Sequence, residues 1–181
     1  LVDSPIKSFT EKGILTEDGI EHEVDVIIYA TGFNTNRFLW PMDVKGIEGK
    51  NLEELWGETP EAYKGILVPG YPNLFCLYGP NTNIVHGGSI IYNTECQVHY
   101  MMQCIALMAE KKAREFEVSA EINDQYNKEV QELSQQLAWG HSGVQSWYKN
   151  SQGRVVNNSP FSNLEYWSKT HDIEPDAYDL S

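Results

Sequence analysis

The chain has 181 residues, of which 41% are apolar and 12% aromatic, so it can build a packed core. Acidic residues outnumber basic residues by 26 to 13, and the net charge of −13 disfavours nucleic acid and anionic membrane surfaces as partners. No apolar run approaches the roughly 18 residues of a membrane span, and no signal-peptide pattern opens the chain, so we expect a cytoplasmic protein. The three cysteines lack C-x-x-C spacing, which predicts buried free thiols and no metal site: Cys76, Cys96 and Cys104.

The first half of the chain is predicted to be rich in strands and loops. Isolated apolar residues between turn-forming triplets predict a short β-meander at the start. The segment 24–30 is β-branched and almost entirely apolar, which is typical of a strand covered on both faces, as in a parallel sheet. Prolines and glycines predict a loop-rich segment over 34–72. A second buried strand is predicted over 73–78, ending at a Gly-Pro pair.

Two helices are predicted in the second half. Thr94 has Gln97 three residues on, the capping-box spacing of a helix start. The apolar face predicted for this helix comprises Val98, Met101, Met102, Ile105, Met108 and Ala109. A short strand over 116–118 leads to Ser119, which can cap a second helix. Its predicted apolar stripe comprises Ile122, Tyr126, Val130, Leu133 and Leu137. After Trp139 the chain is predicted to be irregular as far as its acidic end.

Three segments are candidate sites from their residues alone. Residues 30–33, Ala-Thr-Gly-Phe, follow the first buried strand, and small residues there would let the backbone approach a flat cofactor; an ordinary glycine turn is the alternative. The loop after Gly79 leads to a helix start whose free N–H groups could stabilise an anionic ring, or could be a plain connection. His86 could act in acid-base chemistry or face solvent.

Several sequence signatures are absent. The 14 glycines include no pair two residues apart, so no G-x-G-x-x-G dinucleotide fingerprint occurs. No G-x-S-x-G elbow, Walker sequence or H-E-x-x-H motif is present, which leaves hydrolase, nucleotidase and zinc-protease functions without support.

Three motifs, in order, resemble the class B flavin-dependent monooxygenases, which include flavin-containing and Baeyer-Villiger monooxygenases. Residues 25–33, DVIIYATGF, resemble the D-x-x-x-x-A-T-G-F/Y segment of that group. Residues 72–82, PNLFCLYGPNT, are similar to its P-N-L-F…G-P strand and turn beside the flavin. Residues 146–154, SWYKNSQGR, resemble the S-W-Y-x-x-N-x-x-G-K stretch of Baeyer-Villiger enzymes. Residues 86–91, HGGSII, and the closing Tyr-Trp pair at 166–167 look most like 4-hydroxyacetophenone monooxygenase-type members.

The resemblance implies an α/β fold, the C-terminal portion of a two-dinucleotide-binding-domain flavoprotein, with a short β-meander, parallel-type strands and two main helices. Residues 1–33 would end an NADP-binding domain, and 34–72 would form a loop-rich connection. Residues 73–115 would end an FAD-binding domain, and 116–181 would form a C-terminal helix and wrapping tail. The family's two glycine fingerprints, its F-x-G-x-x-x-H-x-x-x-W signature and its catalytic arginine would lie upstream of Leu1.

The cofactor-binding residues that the resemblance implies are Thr31, Gly32, Gly79, Pro80, Asn81, Thr82 and Trp147. The first two would lie at the domain crossover near the flavin, and the next four would border the isoalloxazine ring. The tryptophan would approach the nicotinamide ribose through its indole N–H. The family's Gly-Ala-Asn that follows it is replaced by Lys149-Asn150-Ser151 in this chain. No catalytic residue is expected within the chain.

The activity implied for a whole enzyme is the oxidation of a ketone or aryl ketone by O2 to an ester or lactone, through a flavin C4a-peroxide formed with FAD and NADPH. The isolated chain is expected to be inactive, to retain neither cofactor and to form a homo-oligomer through apolar surface left uncovered. Two alternatives stay open: a fragment of an N- or S-oxygenating flavin-containing monooxygenase, and a non-catalytic acidic α/β interaction module.

Overall fold

The structure, a computed structural model, describes residues 1–32, 34–85, 87–144 and 146–181. They divide into two units, Leu1–Asn34 and Thr35–Ser181. Both described sheets are antiparallel, and their strands are joined with four helices in a mixed α/β chain. The two main helices that the sequence predicts are present, with 22 and 15 residues.

The first unit is built on the predicted β-meander, which is confirmed. Strands β1 (Ile6–Phe9), β2 (Gly13–Thr16) and β3 (Glu21–Glu23) form an antiparallel sheet in the order β1-β2-β3. Glycine is required at the start of β2, because a Cβ on Gly13 would lie 2.0 Å from the carbonyl oxygen of His22 on β3. The strands can therefore approach closely at this pair.

The strand predicted over 24–30 is not formed. Val26, Ile28 and Tyr29 are 74%, 84% and 69% exposed, and no described residue pairs with this segment in a sheet. A strand with apolar side chains on both faces is stable only when neighbouring strands and covering layers remove those side chains from water. The described part of the chain supplies neither, so the prediction of a central parallel strand is wrong, and the segment is exposed and apolar.

The described residues of the second unit form four α-helices and two strands. Its helices are α1 (Leu52–Trp56), α2 (Ile90–Lys111), α3 (Ala120–Ser134) and α4 (Asn163–Thr170). Its strands, which pair antiparallel, are β4 (Phe116–Val118) and β5 (Tyr178–Leu180). Short 3₁₀ helices cover Ile47–Gly49 and Pro175–Ala177.

Two clusters of buried side chains form the core of this unit. The larger cluster includes side chains from α2, α3, α4 and both strands, among them Tyr100, Phe116, Val130 and Tyr166, each at most 1% exposed. The smaller cluster packs α1 against residues 62–76. Burial of a large apolar side chain contributes about 1.5 to 3 kcal/mol, so these clusters account for the order of the long loops between the helices. All three cysteines are buried free thiols, as predicted.

Helix α2 differs from its prediction in both its start and its buried face. It begins at Ile90, where the Ser89 hydroxyl accepts a hydrogen bond from the Tyr92 N–H, and not at Thr94. The predicted apolar face is wrong, because the helix buries Asn93, Cys96, Gln97, Tyr100, Cys104 and Leu107. Polar residues replace apolar ones on the buried face because they bond to loop backbone, and several apolar side chains of α2 are left exposed.

The second predicted strand, over 73–78, is reduced to one isolated bridge between Phe75 and Leu67. Its two ends, Asn73 and Tyr78, have φ values of 62° and 57°, in the left-handed region that interrupts an extended strand. The side chain of Asn73 bonds instead to the backbone of Arg114 and Phe116. The prediction of a buried parallel strand is therefore wrong.

The predictions for the next elements are mostly confirmed. Ser119 caps α3 through a hydrogen bond from the Ile122 N–H, and the predicted stripe of α3 faces the larger core cluster through Tyr126 and Val130. The short strand over 116–118 is present as β4. The tail predicted to be irregular contains α4 and β5, and α4 begins with a capping box formed by Ser162 and Glu165.

Candidate functional site

Four of the predicted site residues lie together in the turn over residues 78–82, which we refer to as the 78–82 turn. Its residues Gly79 to Thr82 are all buried. Tyr78 and Asn81 have φ values of 57° and 56°, and the Thr82 hydroxyl donates a 2.7 Å hydrogen bond to the Gly79 carbonyl, which closes the turn on itself. Left-handed φ values at non-glycine residues persist only where surrounding contacts hold them.

Asn81 joins the turn to the segment over residues 155–158. Its backbone N–H donates to the Val156 carbonyl at 3.0 Å. Its side-chain Nδ2 donates to the carbonyls of Val155 and Asn158 at 2.9 and 3.1 Å. The side chain of Asn83 continues the link, because its Nδ2 donates to Oδ1 of Asn158 at 2.8 Å. The buried Asn81 side chain is thus committed to protein atoms.

A second turn, over residues 63–65, packs against the first. Gly65 has a φ of 70°, and a Cβ on it would lie 2.1 Å from Cγ2 of Thr82 and 2.7 Å from the carbonyl oxygen of Pro80. The preceding residue, Lys64, also has a left-handed φ of 54°. The two turns therefore pack so closely at Gly65 that no side chain fits on this residue.

The first residues of α2 approach the 78–82 turn from the other side. Asn93 is 1% exposed and its Nδ2 donates to the Thr82 carbonyl at 3.2 Å. The helix N-terminus carries free N–H groups and a partial positive charge, which favour electron-rich or anionic ligands. On the outer face of α2 a groove of about 490 Å³ is lined by Ile90, Ile91, Thr94, Glu95, Val98 and His99.

Trp147 lies in the same unit as the turn and is 65% exposed. Its ring lies 4.0 Å from that of Tyr148, and Lys149 forms an antiparallel bridge with Val155. The loop that follows is closed by Asn150, whose Oδ1 accepts N–H bonds from Gln152 and Arg154. The segment that carries Trp147 is thus connected through residue 155 to the strip of chain that holds Asn81.

Lys64 forms an unusual buried cation beside these turns. It is 2% exposed, and its Nζ lies 3.6 Å from Oε2 of Glu174 and over the rings of Tyr63 and Tyr100, at 5.0 and 4.5 Å. Burial lowers the pKa of Lys64, and burial raises the pKa of the nearby Cys104 thiol to about 12. The Lys64 ammonium and the Cys104 thiol are enclosed by protein. The cluster therefore has a structural role and offers no exposed nucleophile.

The structure places the seven predicted cofactor-binding residues in two groups. Thr31 and Gly32 belong to the first unit and are exposed, with a φ of 81° at Gly32. The other five belong to the second unit. Phe33 of the first motif and His86, the acid-base candidate, lie outside the described residues. Within the described ranges, no group of three or more His, Cys, Asp or Glu residues could hold a metal ion.

Sequence reasoning missed the polar residues that hold the 78–82 turn: Asn93, Gln97 and Asn158. Their positions in the sequence could have identified them as buried residues. Asn93 and Gln97 recur at helical spacing with buried Tyr100 on α2, and Asn158 follows two valines in a segment buried throughout. Buried amides are stable only when they are hydrogen-bonded, so amides on a buried face indicate a loop that they hold.

Among the described helices, none combines the length and apolar character needed to cross a membrane.

Comparison with known proteins gives consistent results across nearly the whole chain. An uncharacterised monooxygenase of Sinorhizobium fredii is 37% identical over 179 residues, which is 98% of this chain and 27% of that protein. A Baeyer-Villiger monooxygenase of Pseudomonas aeruginosa is 35% identical over 177 residues, 97% of this chain and 33% of that protein. An FAD-binding monooxygenase of Aspergillus niger is 35% identical over 173 residues, 93% of this chain and 28% of that protein. No protein-family profile matches the chain.

Solved structures show the same correspondence in fold. Cyclohexanone monooxygenase from Rhodococcus sp. Phi1, solved with NADP⁺, superposes with a TM-score of 0.79 at 22% identity, over 98% of this chain and 34% of that one. OTEMO, solved with FAD and NADP, superposes with a TM-score of 0.77 at 23% identity, over 99% of this chain and 34% of that one. The chain spans about a third of the length of the proteins it matches. It is therefore a homologue of one segment of the FAD-binding and Baeyer-Villiger monooxygenases, and has the fold of that segment in a two-dinucleotide-binding-domain flavoprotein.

Proposed function

We propose that the chain is the C-terminal part of an FAD- and NADPH-dependent monooxygenase that oxidises ketones to esters or lactones. The observation that carries this proposal is the 35% identity to a Baeyer-Villiger monooxygenase over 97% of the chain. The two alternatives have less support. An independent interaction module does not account for identity spread over the whole chain, and no described contact favours amine or sulfide substrates over ketones.

The 78–82 turn would meet a flavin at its exposed end, Tyr78, which is 39% exposed. Asn81 and Thr82 are 2% and 0% exposed as whole residues, and their side chains bond to protein carbonyls, so they would shape the turn and not contact the ring. The expectation that the residues from Gly79 to Thr82 border the isoalloxazine stays a prediction. Oδ1 of Asn93, beside the turn, is buried and has no hydrogen-bond partner in the described structure. The N-terminus of α2, which lies next to the turn, suits an electron-rich ring.

Bound FAD would supply the redox chemistry, accepting hydride from NADPH and activating O2 for insertion beside the ketone carbonyl. The chain's own residues would position and enclose the bound cofactors. Asn81 and Asn93 hold the 78–82 turn from two sides, and the exposed Trp147 would meet the nicotinamide ribose through its indole N–H. The general acid-base and charge-stabilising groups, including the expected arginine, would come from the rest of the enzyme.

The proposal is tested by comparing the 181-residue chain with the product of the complete reading frame that contains it. We expect two glycine fingerprints and the F-x-G-x-x-x-H-x-x-x-W signature upstream of Leu1. The complete protein should retain about one FAD per chain after gel filtration, and the isolated chain should retain none. A reading frame that starts near Leu1, or a complete protein that binds no flavin, would overturn the proposal. The fingerprints without the F-x-G-x-x-x-H-x-x-x-W signature would favour the N- or S-oxygenating alternative.

A further inference from the structure

Gln97 lies on the buried face of α2 and is 0% exposed, although its side chain is polar. Its Oε1 accepts a 2.9 Å hydrogen bond from the backbone N–H of Tyr78, and its Nε2 donates a 2.9 Å bond to the hydroxyl of Tyr166 on α4. The Tyr166 hydroxyl in turn donates to the Lys64 carbonyl at 2.7 Å. One buried chain of hydrogen bonds therefore joins α2, α4 and both turns.

The direction of every bond in this chain is fixed by the chemistry of its ends. The Tyr78 N–H can only donate, so the Gln97 amide must present its oxygen there and its NH₂ to Tyr166. The Lys64 carbonyl can only accept, so the Tyr166 hydroxyl must give its proton to it and accept from Gln97. Every donor in this hydrogen-bond chain meets an acceptor. If the Gln97 amide were turned over, its NH₂ would face the Tyr78 N–H and this match would be lost.

The hydrogen bond of the Tyr78 N–H helps to fix the backbone conformation at the start of the 78–82 turn. Tyr78 has a φ of 57°, immediately before Gly79, where the turn backbone meets the 63–65 turn. Lys64, at the other end of the hydrogen-bond chain, also has a left-handed φ of 54°. Gln97 and Tyr166 thus hold two backbone positions with left-handed φ values, one in each turn. Without these bonds, both positions could relax toward ordinary conformations.

Gln97 itself cannot touch a ligand, because it is fully enclosed, whereas Tyr78 is 39% exposed. A change at Gln97 would reach the exposed end of the turn through the Tyr78 backbone. We propose that Gln97, anchored by Tyr166, is a positioning residue that sets the backbone of the 78–82 turn for the flavin. This inference rests on the proposed function, since the flavin is the cofactor of that function.

The test uses the complete enzyme with Gln97→Met, Gln97→Glu and Tyr166→Phe. Methionine fills a similar volume and removes both hydrogen bonds. We expect Gln97→Met to weaken FAD binding about tenfold, which corresponds to about 1.4 kcal/mol, and to raise the hydrogen peroxide released per NADPH consumed. A buried glutamic acid is held in its neutral form, because burial raises a carboxyl pKa, so it offers the same acceptor and one donor. Gln97→Glu should therefore bind FAD within about threefold of the wild type.

The matched control is Asn127→Leu. Asn127 is also a buried amide on a helix, 3% exposed, but among the described residues its side chain bonds to Asn123 of the same helix and to no other. We expect this control to lower the melting temperature of the apoprotein while FAD affinity and peroxide release stay at wild-type values.

Tyr166→Phe keeps the ring and removes the hydroxyl that anchors Gln97. It should shift FAD affinity and peroxide release in the same direction as Gln97→Met, and it provides the test if Gln97→Met fails to fold. The inference is overturned if Gln97→Met and Tyr166→Phe lower the melting temperature but match Asn127→Leu in FAD affinity and peroxide release. A wild-type complete enzyme that binds no FAD would instead be a failure of the proposed function.

Discussion

Gly79 and Gly65 approach so closely that a Cβ on Gly79 would lie 2.3 Å from the carbonyl oxygen of Gly65. Two backbone turns, separated by 14 positions in sequence, therefore pack directly on each other. The contact places the 78–82 turn on a rigid base, and the hydrogen bonds of Asn81, Asn93 and Gln97 fix it from the remaining sides. Close backbone approach of this kind is available only to glycine.

Gly79→Ala should therefore destabilise the chain. The added methyl group meets backbone atoms that cannot rotate away, and overpacking of this kind costs about 2 to 3 kcal/mol. Urea denaturation of the 181-residue chain measures the loss. Gly143→Ala is the control, since the nearest atom of the described residues to a Cβ there is 3.4 Å away, and we expect a change within about 0.5 kcal/mol. Equal stability of the two variants would show that the turns do not pack as described.

The buried Lys64 cation should be unfavourable for folding. Its partner, the Glu174 carboxylate, has a side chain 63% exposed and remains solvated when the lysine is removed. We expect Lys64→Met to stabilise the chain at pH 7 by about 1 kcal/mol, because it removes the desolvation cost of a charge and leaves no partner stranded. Lys128→Met, at an exposed ion pair on α3, should have little effect. A Lys64→Met variant less stable than wild type would contradict this prediction.

The same lysine predicts a pH dependence. Burial lowers the pKa of Lys64 below its ordinary value of 10.5. The unfolded chain therefore binds more protons than the folded chain between the two pKa values, and the free energy of unfolding should rise with pH across that interval. The difference in unfolding free energy between Lys64→Met and wild type should shrink as the pH rises from the lowered pKa toward the ordinary value of 10.5. A difference that stays constant with pH would exclude Lys64 as its source.

The start of α4 depends on the capping box of Ser162 and Glu165. Ser162→Ala should cost about 1 kcal/mol, because it leaves a helix N–H without its side-chain acceptor. Ser168→Ala, at an exposed position within α4, should be nearly neutral. Hydrogen bonds from Ser162 lower the pKa of Glu165 below its ordinary value of 4.5, so the stabilisation by Glu165 is complete above that pH and is lost as the pH falls through the lowered pKa. Chemical denaturation at pH 7 and pH 3 measures both effects.

The exposed segment over 24–30 should make the isolated chain self-associate. Its apolar side chains remain in water in the first unit, and burial between copies would remove them. We expect a dimer or larger species by light scattering. Val26→Lys combined with Ile28→Lys should shift the chain to a monomer, whereas Val2→Lys, at an exposed valine outside the segment, should not. A monomeric wild-type chain at high concentration would contradict the prediction.

The parts of the fold that depend on local sequence were predictable. Helix α3 was predicted from its stripe and from Ser119, because a cap and an amphipathic face are encoded within a few residues. Helix α4 carries an equally local signal in Ser162 and Glu165, which sequence reasoning missed.

The non-local parts were not predictable in the same way. The strand over 24–30 requires neighbours that the described chain does not provide, so its apolar pattern alone was misleading. The buried face of α2 is recognised through Asn93 and Gln97 only when the turn they bind is known. The motifs predicted which segments form the site. They did not show that the Asn81 side chain bonds to protein carbonyls, which is seen only in the structure.

Oxygen transfer to a ketone by the complete enzyme is the most direct measurement. The complete protein is incubated with NADPH, ¹⁸O₂ and a series of ketones, and the products are identified by mass spectrometry. We predict NADPH oxidation that depends on the ketone and an ester or lactone that carries one ¹⁸O atom, with no turnover by the 181-residue chain alone. Absence of labelled ester with every ketone, together with labelled N-oxide or sulfoxide from amines or sulfides, would contradict the Baeyer-Villiger assignment.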